Sequence, residues 1–135
     1  MKTYLFILST FVCFVACQSA KQHNTSDSDQ TPTVQSLEQS GLSDKLKEAD
    51  VVMVDVRTPG EVADGYIKGA SHFIDFYGDD FQEKVKGLDK SKTYVIYCRS
   101  GGRSGKAAEF MVENGFKTVY NLEGGISAYS GEVAK

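Results

Sequence analysis

A seven-residue segment, residues 98–104 with the sequence Cys-Arg-Ser-Gly-Gly-Arg-Ser, separates an apolar run from a helical pattern. The run before it, residues 94–97, is continuous and β-rich, which is typical of a strand buried on both faces. The segment after it, residues 106–114, has apolar residues on one helical face, and Gly115 follows as a helix end. The Cys98 thiol is therefore predicted at the carboxyl end of a strand, in a glycine-rich turn that opens a helix.

Such a turn favours an anion. Unpaired N–H groups and the positive end of the helix dipole converge at the start of a helix. The same field favours a thiolate over a thiol, and Arg99 and Arg103 add two positive charges beside it. The pattern indicates a nucleophilic cysteine, Cys98, that attacks an anionic substrate.

Further apolar runs and helical patterns alternate along the chain. Residues 51–56 predict a central parallel strand, and shorter strands are expected near 71–74 and 118–121. Helical turns are predicted around residues 37–49, after Pro59, and at 79–86 and 126–129. Strands that alternate with helices imply a layered α/β sheet. Ligands of such sheets bind beyond the carboxyl ends of the strands, where Cys98 is placed.

The first seventeen residues are typical of an export signal. Lys2 supplies a positive start, and residues 4–16 form an apolar stretch too short to span a bilayer comfortably. Residues 14–17 resemble the lipobox of a bacterial lipoprotein, which implies that Cys17 is lipidated and becomes the mature amino terminus. We expect an exported, membrane-anchored protein facing the periplasm of a Gram-negative bacterium. An ordinary cleaved signal peptide remains the alternative.

Residues 18–33 are almost entirely polar and predict a flexible tether, which leaves residues 34–135 as one domain. The net charge is −3, so no basic surface indicates binding to nucleic acid or to anionic lipid. We expect contact with a membrane only through the lipid anchor, and the oligomeric state is left open.

The three cysteines separate by position. Cys13 lies in the signal segment, Cys17 is the lipidation candidate, and Cys98 is left in the domain without an intramolecular disulfide partner. No metal site is expected, because His23 lies in the tether and His72 has no companion ligand.

Four motifs, in order, resemble those of the single-domain rhodaneses, a family of sulfurtransferases. The family resemblance implies a three-layer α/β domain, with a central, mostly parallel sheet flanked by helices. The motifs are Asp-Val-Arg-Thr-Pro at 55–59 with Glu61, Gly-Tyr-Ile-Lys-Gly-Ala at 65–70, the 98–104 segment, and Leu-Glu-Gly-Gly at 122–125. Any one motif is weak evidence, but four in sequence are specific.

The resemblance implies sulfur transfer through a persulfide on Cys98, without a cofactor. The donor is a small anion such as thiosulfate, and the acceptor is cyanide or a small thiol. Such a two-step exchange predicts ping-pong kinetics. The residues expected to bind the sulfur and the donor are Arg99, Ser100, Gly101, Gly102, Arg103 and Ser104; those expected to support the loop are Asp55, Arg57, Gly124 and Gly125.

Two other functions compete with sulfur transfer. Phosphatases and arsenate reductases of related fold have five residues between their cysteine and arginine, whereas Cys98 and Arg103 are separated by four. The smaller loop suits a sulfur atom better than a phosphate group. The other alternative is a non-enzymatic domain that carries persulfide or binds a partner. Arg103 is equally compatible with substrate contact and with bracing the loop.

Overall fold

The computed structural model describes residues 31–135. The predicted signal segment, with Cys17, and the tether up to residue 30 lie outside the described residues. Residues 31–33 are exposed and have no regular secondary structure, and the first strand begins at Val34. No helix in the described part of the chain is long and apolar enough to cross a membrane.

Seven strands and four α-helices make up the described chain, with one 3₁₀ helix near its end. The strands are β1 (Val34–Leu37), β2 (Val51–Asp55), β3 (Tyr66–Ile67), β4 (Ala70–Phe73), β5 (Thr93–Tyr97), β6 (Thr118–Leu122) and β7 (Val133–Ala134). The helices are α1 (Gln39–Lys45), α2 (Pro59–Ala63), α3 (Phe81–Lys86), α4 (Gly102–Glu113) and the 3₁₀ helix Gly125–Ala128.

The main sheet has five strands in the order β1-β6-β5-β2-β4, and all its neighbours are parallel. Strands β3 and β7 pair antiparallel in a separate two-stranded sheet. The main sheet places β5 at its centre, so the strand that leads to Cys98 is paired on both edges. The predicted α/β fold with a mostly parallel sheet is confirmed.

Alternate residues of the central strands enter two different cores, because successive side chains of a strand point to opposite faces. On one face, Val54 and Ile96 pack with Ala108 and Met111 of α4. The opposite core, beneath α1, contains Met53, Val95 and Tyr97 of the strands, with Leu42 of the helix. This double burial explains why β2 and β5 are continuous apolar runs.

The structure differs from the predicted elements at the edges of the fold. Residues 34–37 form β1, whereas we expected Leu37 to begin helical turns. Leu37 is the one buried residue of β1, so the strand lacks the alternation of apolar and polar residues from which a strand is predicted. Helix α4 begins at Gly102, four residues before the predicted start. Its first turn has no apolar side chain, and its buried residue is the polar Ser104, so the apolar helical pattern starts late. Strands β3 and β7 have two residues each, too few to produce a pattern.

A buried ion pair ties the end of β2 to the two segments that follow it. Asp55 is fully buried, and the Arg57 guanidinium donates to its carboxylate, with Nη2 2.6 Å from Oδ2. The same guanidinium donates to the carbonyls of Glu61 at 3.1 Å and Gly65 at 2.8 Å. The predicted supporting residues Asp55 and Arg57 thus lie together and hold α2 and the turn before β3.

We expect Arg57→Leu to lower the free energy of unfolding by about 3–5 kcal/mol, because it leaves the Asp55 carboxylate buried without its cation. Urea denaturation measures the change. The double variant Asp55→Leu/Arg57→Leu should recover part of the loss, since no unpaired charge remains. Lys68→Ala, which breaks an exposed pair with Glu132, is the control and should leave stability unchanged. If Arg57→Leu lowers the free energy of unfolding as little as Lys68→Ala does, the buried pair does not contribute substantially to stability.

Candidate active site

Cys98 directly follows β5 and begins a tight loop that leads into α4. Gly101 adopts a φ of +101°, in the left-handed region that side-chain-bearing residues rarely enter. The Gly101 N–H donates to the Cys98 Sγ at 3.1 Å, and the left-handed conformation of Gly101 turns the chain after it into α4. The loop therefore closes around the sulfur.

Hydrogen-bond donors surround the Cys98 sulfur. The Ser104 hydroxyl lies 3.4 Å from Sγ, in the first turn of α4. Burial alone would raise the pKa of Cys98, but hydrogen bonds from Ser104 and from the backbone of Gly101 and Ser100 outweigh it and lower that pKa below its usual value. Cys98 is only 1% exposed, so a small molecule reaches its sulfur only by entering the loop.

The 3₁₀ helix Gly125–Ala128 supports the loop from behind. The Ile126 N–H donates to the Cys98 carbonyl at 2.9 Å, and the Ser127 N–H donates to the Arg99 carbonyl at 3.0 Å. Gly125 has a φ of +55°, and a Cβ built there would overlap the Cys98 carbonyl oxygen and lie 2.7 Å from the Arg99 carbonyl carbon. Only glycine allows this approach of the two segments.

Gly125→Ala should lower the free energy of unfolding by about 3 kcal/mol or more, since it adds a backbone clash to an unfavourable φ. Thermal and urea unfolding measure the change. Gly60→Ala is the matched control, because a Cβ there meets nothing within 4 Å and the position is helical. If both glycines tolerate alanine equally, the close approach does not constrain the fold.

Arg103 points to a carboxylate of the neighbouring helix α2. Its Nη1 and Nη2 atoms each lie 2.7 Å from an oxygen of Glu61. The Arg103 guanidinium is the main cause that lowers the pKa of Glu61 to about 2, so the pair is ionised at neutral pH. The guanidinium also lies 5.7 Å from the centre of the exposed Tyr77 ring. The structure thus gives Arg103 a bracing contact between the loop and α2.

Arg99 has a different environment. It is exposed, and no ion pair or side-chain hydrogen bond involves it within residues 31–135. It lines a cleft of about 350 Å³ beside the loop, together with Arg57, Glu61, Asp64, Ile126 and Ser127. Of the two loop arginines, Arg99 is therefore the one whose charge faces solvent next to Cys98.

The sequence prediction did not assign a site role to two residues that the structure places at the loop. Glu61 forms a capping box with Thr58 at the start of α2 as well as the pair with Arg103. The Thr-x-x-Glu spacing predicts the helix cap, but it does not predict the contact between Glu61 and Arg103. Asn121 forms hydrogen bonds with both Ser104 and Gly101. The sequence indicates this residue only as a polar position near the end of a strand.

The other predicted site residues lie on or near the same loop. Ser100 and Gly102 are exposed, and Gly124 precedes the 3₁₀ helix with a φ of +69°. Among residues 31–135, no group of three or more His, Cys, Asp or Glu side chains is arranged to hold a metal ion.

Comparison with known proteins places the whole domain in one family. A family model described as the rhodanese-like domain matches residues 38–132. The chain belongs to the rhodanese-like family. YtwF of Bacillus subtilis, which bears a sulfurtransferase name, is 40% identical over 100 residues, covering 73% of this chain and 93% of that protein. A protein named sulfurtransferase from Allochromatium vinosum is 36% identical over 102 residues, covering 72% and 89%.

Solved structures show the same fold. A rhodanese-like domain protein from Staphylococcus aureus superposes with a TM-score of 0.62 at 33% identity, covering 75% of this chain and 99% of that one. A rhodanese-related protein from Thermoplasma volcanium gives 0.64 at 29% identity, covering 74% and 97%. In this rhodanese-like domain the four sequence motifs meet at one place, since Arg57, Gly65, the Cys98 loop and Gly125 are linked by the contacts described above.

Proposed function

We propose that this rhodanese-like domain transfers sulfane sulfur through a persulfide on Cys98. The single observation that carries the proposal is the Sγ environment, where the Gly101 N–H and the Ser104 hydroxyl both lie within hydrogen-bonding distance of the sulfur. Donors in that arrangement stabilise a sulfur anion, either a thiolate or a persulfide. The two relatives that bear sulfurtransferase names support the same assignment.

The reaction balances as two displacements on sulfur. The Cys98 thiolate attacks the outer sulfur of thiosulfate, and the bond between the two donor sulfurs breaks, with its electron pair leaving as sulfite. The new persulfide carries one negative charge on its terminal sulfur. Cyanide or a small thiolate then attacks that terminal sulfur, takes it away as thiocyanate or a new persulfide, and restores the Cys98 thiolate. No cofactor is needed in either step.

The loop itself argues against phosphatase chemistry. Four residues separate Cys98 from Arg103, one fewer than in the phosphatases of related fold. In addition, both terminal nitrogens of Arg103 already bind Glu61, so that guanidinium would have to leave its carboxylate to bind a phosphate group bidentately. A single sulfur atom requires no such rearrangement.

We expect incubation of the protein with thiosulfate to add the mass of one sulfur atom, located on Cys98 by peptide mass spectrometry. Cys98→Ser should take up no sulfur and lose thiosulfate:cyanide turnover while it keeps the native circular dichroism spectrum. An unchanged mass in the native protein, under conditions where persulfides survive, would contradict the mechanism. Persulfide formation without turnover would identify a sulfur carrier instead of an enzyme.

The donor's anionic end is proposed to meet Arg99, whose charge is exposed beside the loop and has no partner among the described residues. Arg103, braced by Glu61, contributes to the local field instead. The cleft lined by Arg99 and Ser127 gives the donor room next to the loop. Arg99 and Arg103, which look equivalent in the sequence, therefore have different proposed roles.

Arg99→Ala should raise the KM for thiosulfate about two- to fivefold, because an exposed ion pair contributes up to about 1 kcal/mol. The increase should shrink at high salt, since exposed charges are screened. Steady-state kinetics at two ionic strengths measure both effects, with Lys117→Ala as a charge-matched control on the exposed surface. An equal loss with an uncharged polysulfide donor would show that Arg99 does not act through the donor's charge.

A further inference from the structure

The Ser104 hydroxyl faces two acceptors but has one proton. Its Oγ lies 2.7 Å from Asn121 Oδ1 and 3.4 Å from Cys98 Sγ. Ser104 is fully buried, so its hydroxyl has these two acceptors and no contact with bulk solvent. A hydroxyl donates one hydrogen bond at a time, and the shorter contact indicates that the proton points to Asn121.

The orientation of the Asn121 amide is set by its other contact. Asn121 Nδ2 donates to the Gly101 carbonyl at 3.2 Å. That carbonyl can only accept, so the reversed amide would place two oxygens against each other. The Asn121 oxygen must therefore face Ser104. Asn121 lies in β6, paired with Ile96 of β5, and the sheet holds its backbone in place.

We propose that Asn121 is a positioning residue that competes with the Cys98 sulfur for the Ser104 proton. Its amide oxygen holds the hydroxyl while Cys98 is a neutral thiol. When the sulfur becomes an anion, the hydroxyl rotates and donates to it, because an ionised acceptor forms the stronger hydrogen bond. Asn121 acts on the sulfur only through Ser104. The inference rests on the proposed function only in taking Cys98 as the reactive group.

The proposed competition predicts the direction in which each Asn121 variant changes the pKa of Cys98. Every gain that the thiolate makes from Ser104 is reduced by the loss of the Ser104–Asn121 hydrogen bond. Removal of the amide by Asn121→Leu, a substitution of similar size, should therefore lower the pKa of Cys98 by about 0.5–1 unit. Asn121→Asp should raise it, because a carboxylate holds the hydroxyl more strongly and adds a negative charge nearby.

The test is the pH dependence of Cys98 alkylation by iodoacetamide in the full chain. Trypsin cleavage after Lys92 and Arg99 yields the peptide 93–99, which contains Cys98 and neither of the other two cysteines. Alkylation is followed on that peptide in the native protein, in Asn121→Leu, in Ser104→Ala and in the double variant. Asn114→Leu is the matched control, since it removes an amide from the opposite end of α4.

The proposal requires that Asn121→Leu shift the Cys98 titration downward when Ser104 is present and leave it unchanged in the Ser104→Ala background. Asn114→Leu should titrate like the native protein. An equal shift in both backgrounds, or no shift in either, would overturn the proposal, because Asn121 would then act through the loop backbone or not at all. No sulfur donor is used, so the outcome is independent of whether the protein transfers sulfur.

If Asn121→Leu does not fold, Asn121→Asp provides the same comparison with the opposite sign. The charge of the aspartate acts in both backgrounds, so the decisive quantity is the difference between them. A larger upward shift with Ser104 present supports competition for its proton. Equal upward shifts would show that only the added charge matters, and would overturn the proposal.

Discussion

The carbonyl groups of Cys98 and Arg99 accept hydrogen bonds from Ile126 and Ser127, and the active-site loop depends on this pairing. With the carbonyls satisfied on the outer side, the following N–H groups are free to turn toward the Cys98 sulfur. The approach is possible only because Gly125 has no side chain. Two segments 28 residues apart are thus combined into one anion-stabilising loop, and the central strand β5 holds its first residue in place.

A chain of charged contacts surrounds this loop and gives its arginines different roles. The Asp55–Arg57 pair fixes the start of α2, and α2 presents Glu61 to Arg103. Arg103 is therefore engaged by the protein, whereas Arg99 is exposed beside the cleft. Two positive charges therefore lie near the sulfur. The guanidinium of Arg103 is fixed by its ion pair with Glu61, and the guanidinium of Arg99 is accessible to a solute.

The interior of the fold was predictable from the sequence because its strands are buried on both faces and read as continuous apolar runs, as β2 and β5 show. The edges were not. Strand β1 has one buried residue and carries no pattern, so Leu37 was assigned to a helix. The roles of Glu61 and Asn121 were missed for a related reason, since each acts on residues far away in the chain, 42 positions for Glu61 and Arg103 and 17 for Asn121 and Ser104.

The central strands, the position of Cys98 between a strand and a helix, and the spacing from Cys98 to Arg103 are properties of the local sequence, and local sequence was enough to derive them. Which donors reach the sulfur, and which arginine stays open to solvent, depended on tertiary structure. Those outcomes are set by side chains from α2, β6 and the 3₁₀ helix that meet only when the parallel sheet forms. Hydrogen bonds and ion pairs act over a few ångströms, so a spacing along the chain does not reveal them until the fold brings their partners together.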